Sequence, residues 1–178
     1  MGGVASDEVL EYLNRLGKAY QEEATLYLIG GSALCLLGSP RRTMDIDISL
    51  ASPAENQALL DAMTTIASEM KVELEVITIE EFVPTPAGAS QRHQFIGQFD
   101  KIAAFIYDPY TLALSKLARG LETDIQDVLF LLANGIIEMA KLESIVEDAV
   151  PFAWEKDVDP NDLEKYLAEV KKHHQNVA

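Results

Sequence analysis

Asp45 and Asp47 are the residues with the clearest chemistry. They stand two apart in a run, Met44 to Leu50, in which Met44, Ile46 and Ile48 alternate with Asp45, Asp47 and Ser49. Such alternation predicts a β-strand, and residues i and i+2 of a strand share a face, so the two carboxylates converge. Like charges held that close repel unless a cation sits between them. Mg²⁺ takes oxygen ligands, sheds water reluctantly, and is usually held by one or two carboxylates together with substrate phosphates. The pair therefore reads as a site for Mg²⁺ (or Mn²⁺) and a nucleoside triphosphate. Alone, an Asp-x-Asp is more often the solvated face of an edge strand.

The segment just upstream changes that balance. Gly30-Gly31-Ser32 follows an apolar run, Leu26 to Ile29, and precedes a short apolar stretch predicted as helix, Ser32 to Leu37. Glycines between a strand and a helix let the backbone approach a phosphate closely, with free N–H groups aimed at it and the Ser32 hydroxyl beside them. Arg41 and Arg42, just before the acids, are candidates for neutralising phosphate charge, or for plain loop solvation. A third carboxylate would complete a two-metal site, in which one ion activates the attacking oxygen and the other steadies the leaving phosphate. Glu75, with Glu73 on the same face of the next predicted strand, is the candidate, and Asp100 in a predicted turn is the fallback.

This order of parts, an apolar strand, Gly-Gly-Ser, a short helix and Asp-x-Asp on a second strand, resembles the nucleotidyltransferases of the DNA-polymerase-β superfamily. The resemblance implies a third acid on a neighbouring strand after a helix, the position of Glu75 in LEVIT. The segment DPYTLALSKLARGLETDIQDVLFLL, Asp108 to Leu132, looks like the helical part of a bacterial subgroup that includes the AbiE-type toxins of toxin–antitoxin systems. In that subgroup a Lys on one helix and an Asp on the next face the nucleotide, and Lys116 and Asp124 match those positions. The resemblance implies that Lys116 touches the triphosphate as a point charge. It implies that Asp124 orients Lys116 or takes the proton of the acceptor hydroxyl. The competing reading of the two is a surface salt bridge and a helix-start acid favoured by the dipole. Asp127, one turn on, reads as structural.

The activity implied is Mg-dependent transfer of an NMP from an NTP to a hydroxyl, on a protein side chain or an RNA 3′ end, with a cognate toxin or antitoxin as a further partner. Two other readings stand beside it: a nucleotide-binding regulator without turnover, and an interaction protein whose acids are surface residues.

The elements that must position these residues give an α+β fold, a small mixed sheet with flanking helices and a helical C-terminal part. The expected division is an α/β core over residues 1–107 and helices over 108–178. Ser6 to Glu23 predicts a helix capped by Ser6. Ser52-Pro53 predicts the start of a helix running to Met70, and Val72 to Ile79 a third strand. His93 to Phe99 and Ile102 to Tyr107 predict two more strands, and Phe82 to Ser90 a loop. Asp108-Pro109 opens and Gly120 closes a helix. Thr123 is the expected cap of the next, Glu138 to Ala149 forms a third, and Asp159-Pro160 starts a last one leading into a polar tail from Lys171.

The 178 residues carry a formal net charge of −15, which favours solubility and opposes non-specific contact with nucleic acid. No segment approaches about 18 uninterrupted apolar residues, so no membrane span is expected, and the N-terminus reads as lacking a secretory signal. The single cysteine, Cys35, lies among leucines and reads as core packing in a reducing, cytoplasmic compartment. His93, His173 and His174 have no metal-ligand spacing, and Trp154 reads as a packing anchor between helices.

Overall fold

The computed structural model describes residues 3–51, 53 and 56–177. Its architecture is α+β: one five-stranded mixed sheet and, among the described residues, seven α-helices. The chain forms two compact units, Met1–Ile79 with Gln94–Tyr107, and Glu80–His93 with Asp108–Ala178. Among the described residues, no helix is long and apolar enough to cross a membrane.

The first unit holds α1 (Ser6–Ala19), β1 (Ala24–Leu28), α2 (Gly30–Leu36), β2 (Asp45–Ser49), α3 (Gln57–Met70), β3 (Glu73–Ile77), β4 (Gln94–Phe99) and β5 (Ile102–Ile106). The strand order is β3-β2-β1-β5-β4. β1 runs antiparallel to β2 and parallel to β5, β2 parallel to β3, and β4 antiparallel to β5. The apolar run at Leu26 predicts a strand covered on both faces, but burial alternates. Leu26 and Leu28 are fully buried, whereas Thr25 is exposed and Tyr27 half-buried. The covered face carries Leu26, Leu28, Ile46, Ile48, Ile102 and Ala104, and Leu13 and Leu16 of α1 and Met63 of α3 are buried in the same core. The buried Tyr12 hydroxyl donates to the Met63 carbonyl at 3.1 Å, tying α1 to α3; burial raises that phenol above its ordinary range.

The helix starts differ in detail from expectation. Ala5 rather than Ser6 occupies the cap of α1, and its N–H donates to the Glu8 carboxylate. Ser52 lies outside the described residues; α3 is capped by Asn56, whose side chain accepts from the Leu59 N–H at 3.0 Å. Cys35 is buried as expected.

The second unit holds α4 (Pro109–Arg119), α5 (Glu122–Ala133), α6 (Met139–Ala149) and α7 (Pro160–Val177). Asp108 caps α4, and Gly120, at φ +67, ends it in a conformation that costs a residue with a Cβ. Two expectations are corrected here. The polar stretch from Lys171 continues α7 to Val177. Trp154 is 64% exposed, in a 3-10 segment whose buried member is Ala153. The small residue faces inward there, so the indole is turned out.

Glu80–His93 is fastened within this unit by Arg92. Its guanidinium donates to both Asp108 carboxylate oxygens, at 2.7 and 2.9 Å, and lies 5.4 Å from the Tyr110 ring centroid. The same buried carboxylate accepts from the Tyr110 and Thr111 N–H groups. His93 Nδ1 accepts from the Asp108 N–H at 3.0 Å. Burial, with help from Arg92, holds the His93 imidazole below its ordinary value against the opposing pull of Asp108 and Glu80. A depressed histidine contributes stability that is fully present above about pH 6.5 and is lost as pH falls toward the folded-state value. The urea midpoint is therefore expected to drop between pH 7.5 and 5.5. His93→Gln, which keeps an acceptor but cannot be protonated, is expected to shrink that drop.

Candidate metal and nucleotide site

Asp47 leaves β2 on the face opposite the buried core. Its carboxylate accepts from the Gly31 N–H at 3.1 Å, and its backbone carbonyl accepts from Ile29 N–H at 3.0 Å. The two glycines earn their place by proximity. Gly30 has φ +53, and a Cβ there would fall on the Asp47 carboxylate; a Cβ on Gly31 would fall on the Thr43 hydroxyl. That hydroxyl donates to Asp45 Oδ1 at 3.3 Å. Gly30→Ala is thus expected to destabilise by about 1–3 kcal/mol, from a left-handed residue plus a displaced carboxylate. It is also expected to weaken nucleotide binding, which melting curves with and without Mg·NTP measure.

The third carboxylate arrives through strand pairing. β2 and β3 are parallel with Asp47 in register with Glu75. One oxygen each of Asp45, Asp47 and Glu75 lie within 4.8 Å of one another, with Asp47 buried, Asp45 half-buried and Glu75 exposed. The donors are all carboxylate oxygens, a set that suits Mg²⁺ or Mn²⁺ rather than a thiophilic metal.

The other expected residues fall as follows. Ser32 is fully buried, its hydroxyl donating to the Asp45 carbonyl at 3.1 Å and accepting from the Asp47 N–H at 3.0 Å. It thereby clamps α2 to the start of β2. Arg42 is exposed and ion-paired with Glu8 at 2.7 Å, and it also donates to the Gly3 carbonyl. Arg41 is exposed. Asp100 sits at the β4–β5 turn with φ +51.

Lys116 and Asp124 belong to the second unit and meet there. Lys116, 6% exposed, lies 3.2 Å from Asp124 and 2.9 Å from Asp127. Asp124, fully buried, also takes two hydrogen bonds of 2.7 Å from Arg119 and one from the Leu121 N–H. That last bond does the capping expected of Thr123, because the longer reach of a residue at the third helical position closes on the cap N–H. Burial alone would raise the Asp124 carboxyl, but the Arg119 bonds and the Lys116 charge outweigh it and hold it below its ordinary range. The pair is therefore a buried ion pair rather than a surface salt bridge, with the exposed Arg119 joining it from the solvent side. Sequence reasoning missed Thr43 beside Asp45, and it took Arg119 as a surface cation rather than as the partner of Asp124. Arg119 stands one turn after Lys116, a spacing that could have drawn notice.

A mixed sheet with an acid pair opening one strand, a glycine turn against it and a third acid in register has the parts of a nucleotidyltransferase. Residues 7–175 match the family described as Nucleotidyltransferase of unknown function (DUF6036), and the chain belongs to that family. No curated protein and no solved structure matches it.

Proposed function

We propose that the chain is a metal-dependent nucleotidyltransferase that moves an NMP from an NTP to a hydroxyl acceptor, with Asp45, Asp47 and Glu75 holding Mg²⁺ or Mn²⁺. The observation that carries this is the convergence of the three carboxylates within 4.8 Å. A divalent ion held there supplies positive charge to the triphosphate and makes an oxygen nucleophile available near neutral pH. The protein's own share is positioning. The Gly31 N–H aims the Asp47 carboxylate, the Thr43 hydroxyl holds Asp45, Ser32 fixes the strand that carries both, and Gly30 leaves room beside them. Saturated by Arg119, Lys116 and a backbone N–H, Asp124 suits the orienting role rather than that of a proton acceptor.

Incubating the full chain with α-labelled NTPs, Mg²⁺ and cell extract tests the reading. Label is expected to move to protein or to RNA 3′ ends and to stay on the nucleotide when the metal is chelated. The exposure of Glu75 favours one alternative, a nucleotide-binding regulator without turnover. In that case Mg·NTP still stabilises the protein but no label moves. A toxin role within a toxin–antitoxin pair rests on the resemblance of Asp108 to Leu132 alone.

A further inference from the structure

The second unit carries a groove of its own, a cavity of about 500 Å³ lined by the 84–87 segment and by α6. Its apolar base is Ile145 and Ala149 of α6, 8% and 5% exposed. Pro84, Pro86 and Ala87 line it from the other side, and Phe152, 54% exposed, stands at its rim. The proline side is fixed before anything binds. Each proline holds its own φ, Val83 just ahead of them is buried, and the Arg92 guanidinium donates to the Ala87 carbonyl at 2.9 Å. A preorganised apolar surface beside an exposed aromatic ring has the composition of a recognition site.

The charges on the groove are ordered. Lys141, Ser144, Ile145, Asp148 and Ala149 recur at i, i+3, i+4, i+7 and i+8, so one face of α6 looks into it. Lys141 lies in the first turn of α6 and Asp148 in the last. The helix dipole favours the reverse, acids at the N-terminus and bases at the C-terminus. Yet α6 has no acid in its first turn and no base in its last, although Glu138 stands at its cap position. On the groove face, side chains and dipole therefore add, positive at the Lys141 end and negative at the Asp148 end. A packing surface has no use for such a field, whereas a ligand with opposite charges at its two ends does. The seven-residue step from Lys141 to Asp148 is roughly 10 Å along a helix, the reach of about three residues of extended chain.

We propose that this groove docks an extended segment of a protein partner, in which a short apolar run has an acidic side chain at one end, against Lys141, and a basic one at the other, against Asp148. The proposal is independent of the metal site and goes beyond it. Charge selects the occupant. A nucleic-acid strand would bring phosphates to the Asp148 end in a chain of net charge −15. Openness does so too. Thr85, Lys141, Ser144 and Asp148 are exposed, which suits a chain lying along the groove rather than a small ligand that must be enclosed. The Thr85 and Ser144 hydroxyls can donate to the backbone of that chain, which the prolines, having no N–H, cannot.

The test is an NMR titration of the full, isotope-labelled chain with blocked tetrapeptide pools whose two middle positions are mixed Leu, Val, Phe and Met. Two pools are dipolar, acid first or base first; two are uniform, with an acid or a base at both ends. The better dipolar pool is expected to bind about threefold or more tightly than either uniform pool, and to move the amide signals of Ile145, Ala149 and Phe152. Phe152→Ala, which truncates an exposed ring and should fold in any case, is expected to weaken it about tenfold. Asp148→Lys is expected to switch the preference to the pool with acids at both ends. It is also expected to raise the melting temperature slightly, since a base at the end of α6 suits the dipole. A lower melting temperature would show Asp148 serving the fold and overturn the proposal. Equal affinity for all four pools, no shifts at those three residues, or a dipolar preference unmoved by Asp148→Lys also overturns it. So does either other occupant: a single-stranded oligoribonucleotide that moves the same signals, or a dimer in sedimentation that Phe152→Ala dissolves.

Discussion

Asp47→Asn is expected to abolish the stabilisation that Mg·NTP gives, while leaving the unliganded protein about as stable as wild type. The asymmetry comes from the site. An amide oxygen at position 47 can still accept the Gly31 N–H, so the turn keeps its hydrogen bond. What is lost is one of three negative charges within 4.8 Å, the feature that makes the site want a cation. A ligand at 100 times its Kd adds about 2.7 kcal/mol, which for a chain of this size is a shift of about 5–10 °C. Differential scanning fluorimetry with each NTP, with and without Mg²⁺, reads it directly. A full shift persisting in Asp47→Asn would mean that the cation is held elsewhere.

The second large effect is structural and lies in the other unit. Lys116→Met is expected to cost about 3–5 kcal/mol, because it strips a cation from two carboxylates already out of water. Asp124 and Asp127 are 0% and 3% exposed, and Lys116 stands within 3.2 Å of both. Removing the lysine leaves the two buried carboxylates that shared it without that common cation, while Arg119 stays on Asp124. Adding Asp127→Asn to Lys116→Met is therefore expected to recover part of the stability, a coupling that a double-mutant cycle in urea quantifies. Additive losses would show that the lysine and Asp127 do not interact. Acid tells the same story for Asp124. A carboxyl held below its ordinary range contributes stability that is present above that range and is lost as pH falls through the folded-state value.

How far the sequence spoke depends on the range of the interaction. Asp45 and Asp47 were legible as a shared face because strand alternation is local, and the glycine turn was legible because Gly-Gly between two apolar runs is punctuation. The helices opened by Asp108-Pro109 and Asp159-Pro160 followed from their start signals. Long-range pairing was not legible. That Glu75 stands beside Asp47 depends on β3 adding parallel to β2, which no local pattern specifies, so Glu75 was named through the resemblance and not through its pairing. The use of the glycines to make room for Asp47 and Thr43, and of the Ser32 hydroxyl to clamp the strand, depends on the same pairing. Nothing in the Pro84–Gly88 loop announced that Arg92 would find Asp108. Tyr27 read as one more apolar residue in a strand buried on both faces. Its register with Ser49 and Phe105 puts it instead on the face that carries the acids, where it is half-buried. Trp154 was misjudged for a simpler reason: size argues for burial, but neighbouring Ala153 takes the inward position.

The most direct measurement is anomalous diffraction from crystals of the full chain grown with Mn²⁺ and a non-hydrolysable NTP analogue. The account predicts a manganese peak bounded by the carboxylates of Asp45, Asp47 and Glu75, with phosphate oxygens completing its shell. A peak at any other place, or those three side chains engaged with protein cations while the nucleotide binds elsewhere, would contradict it.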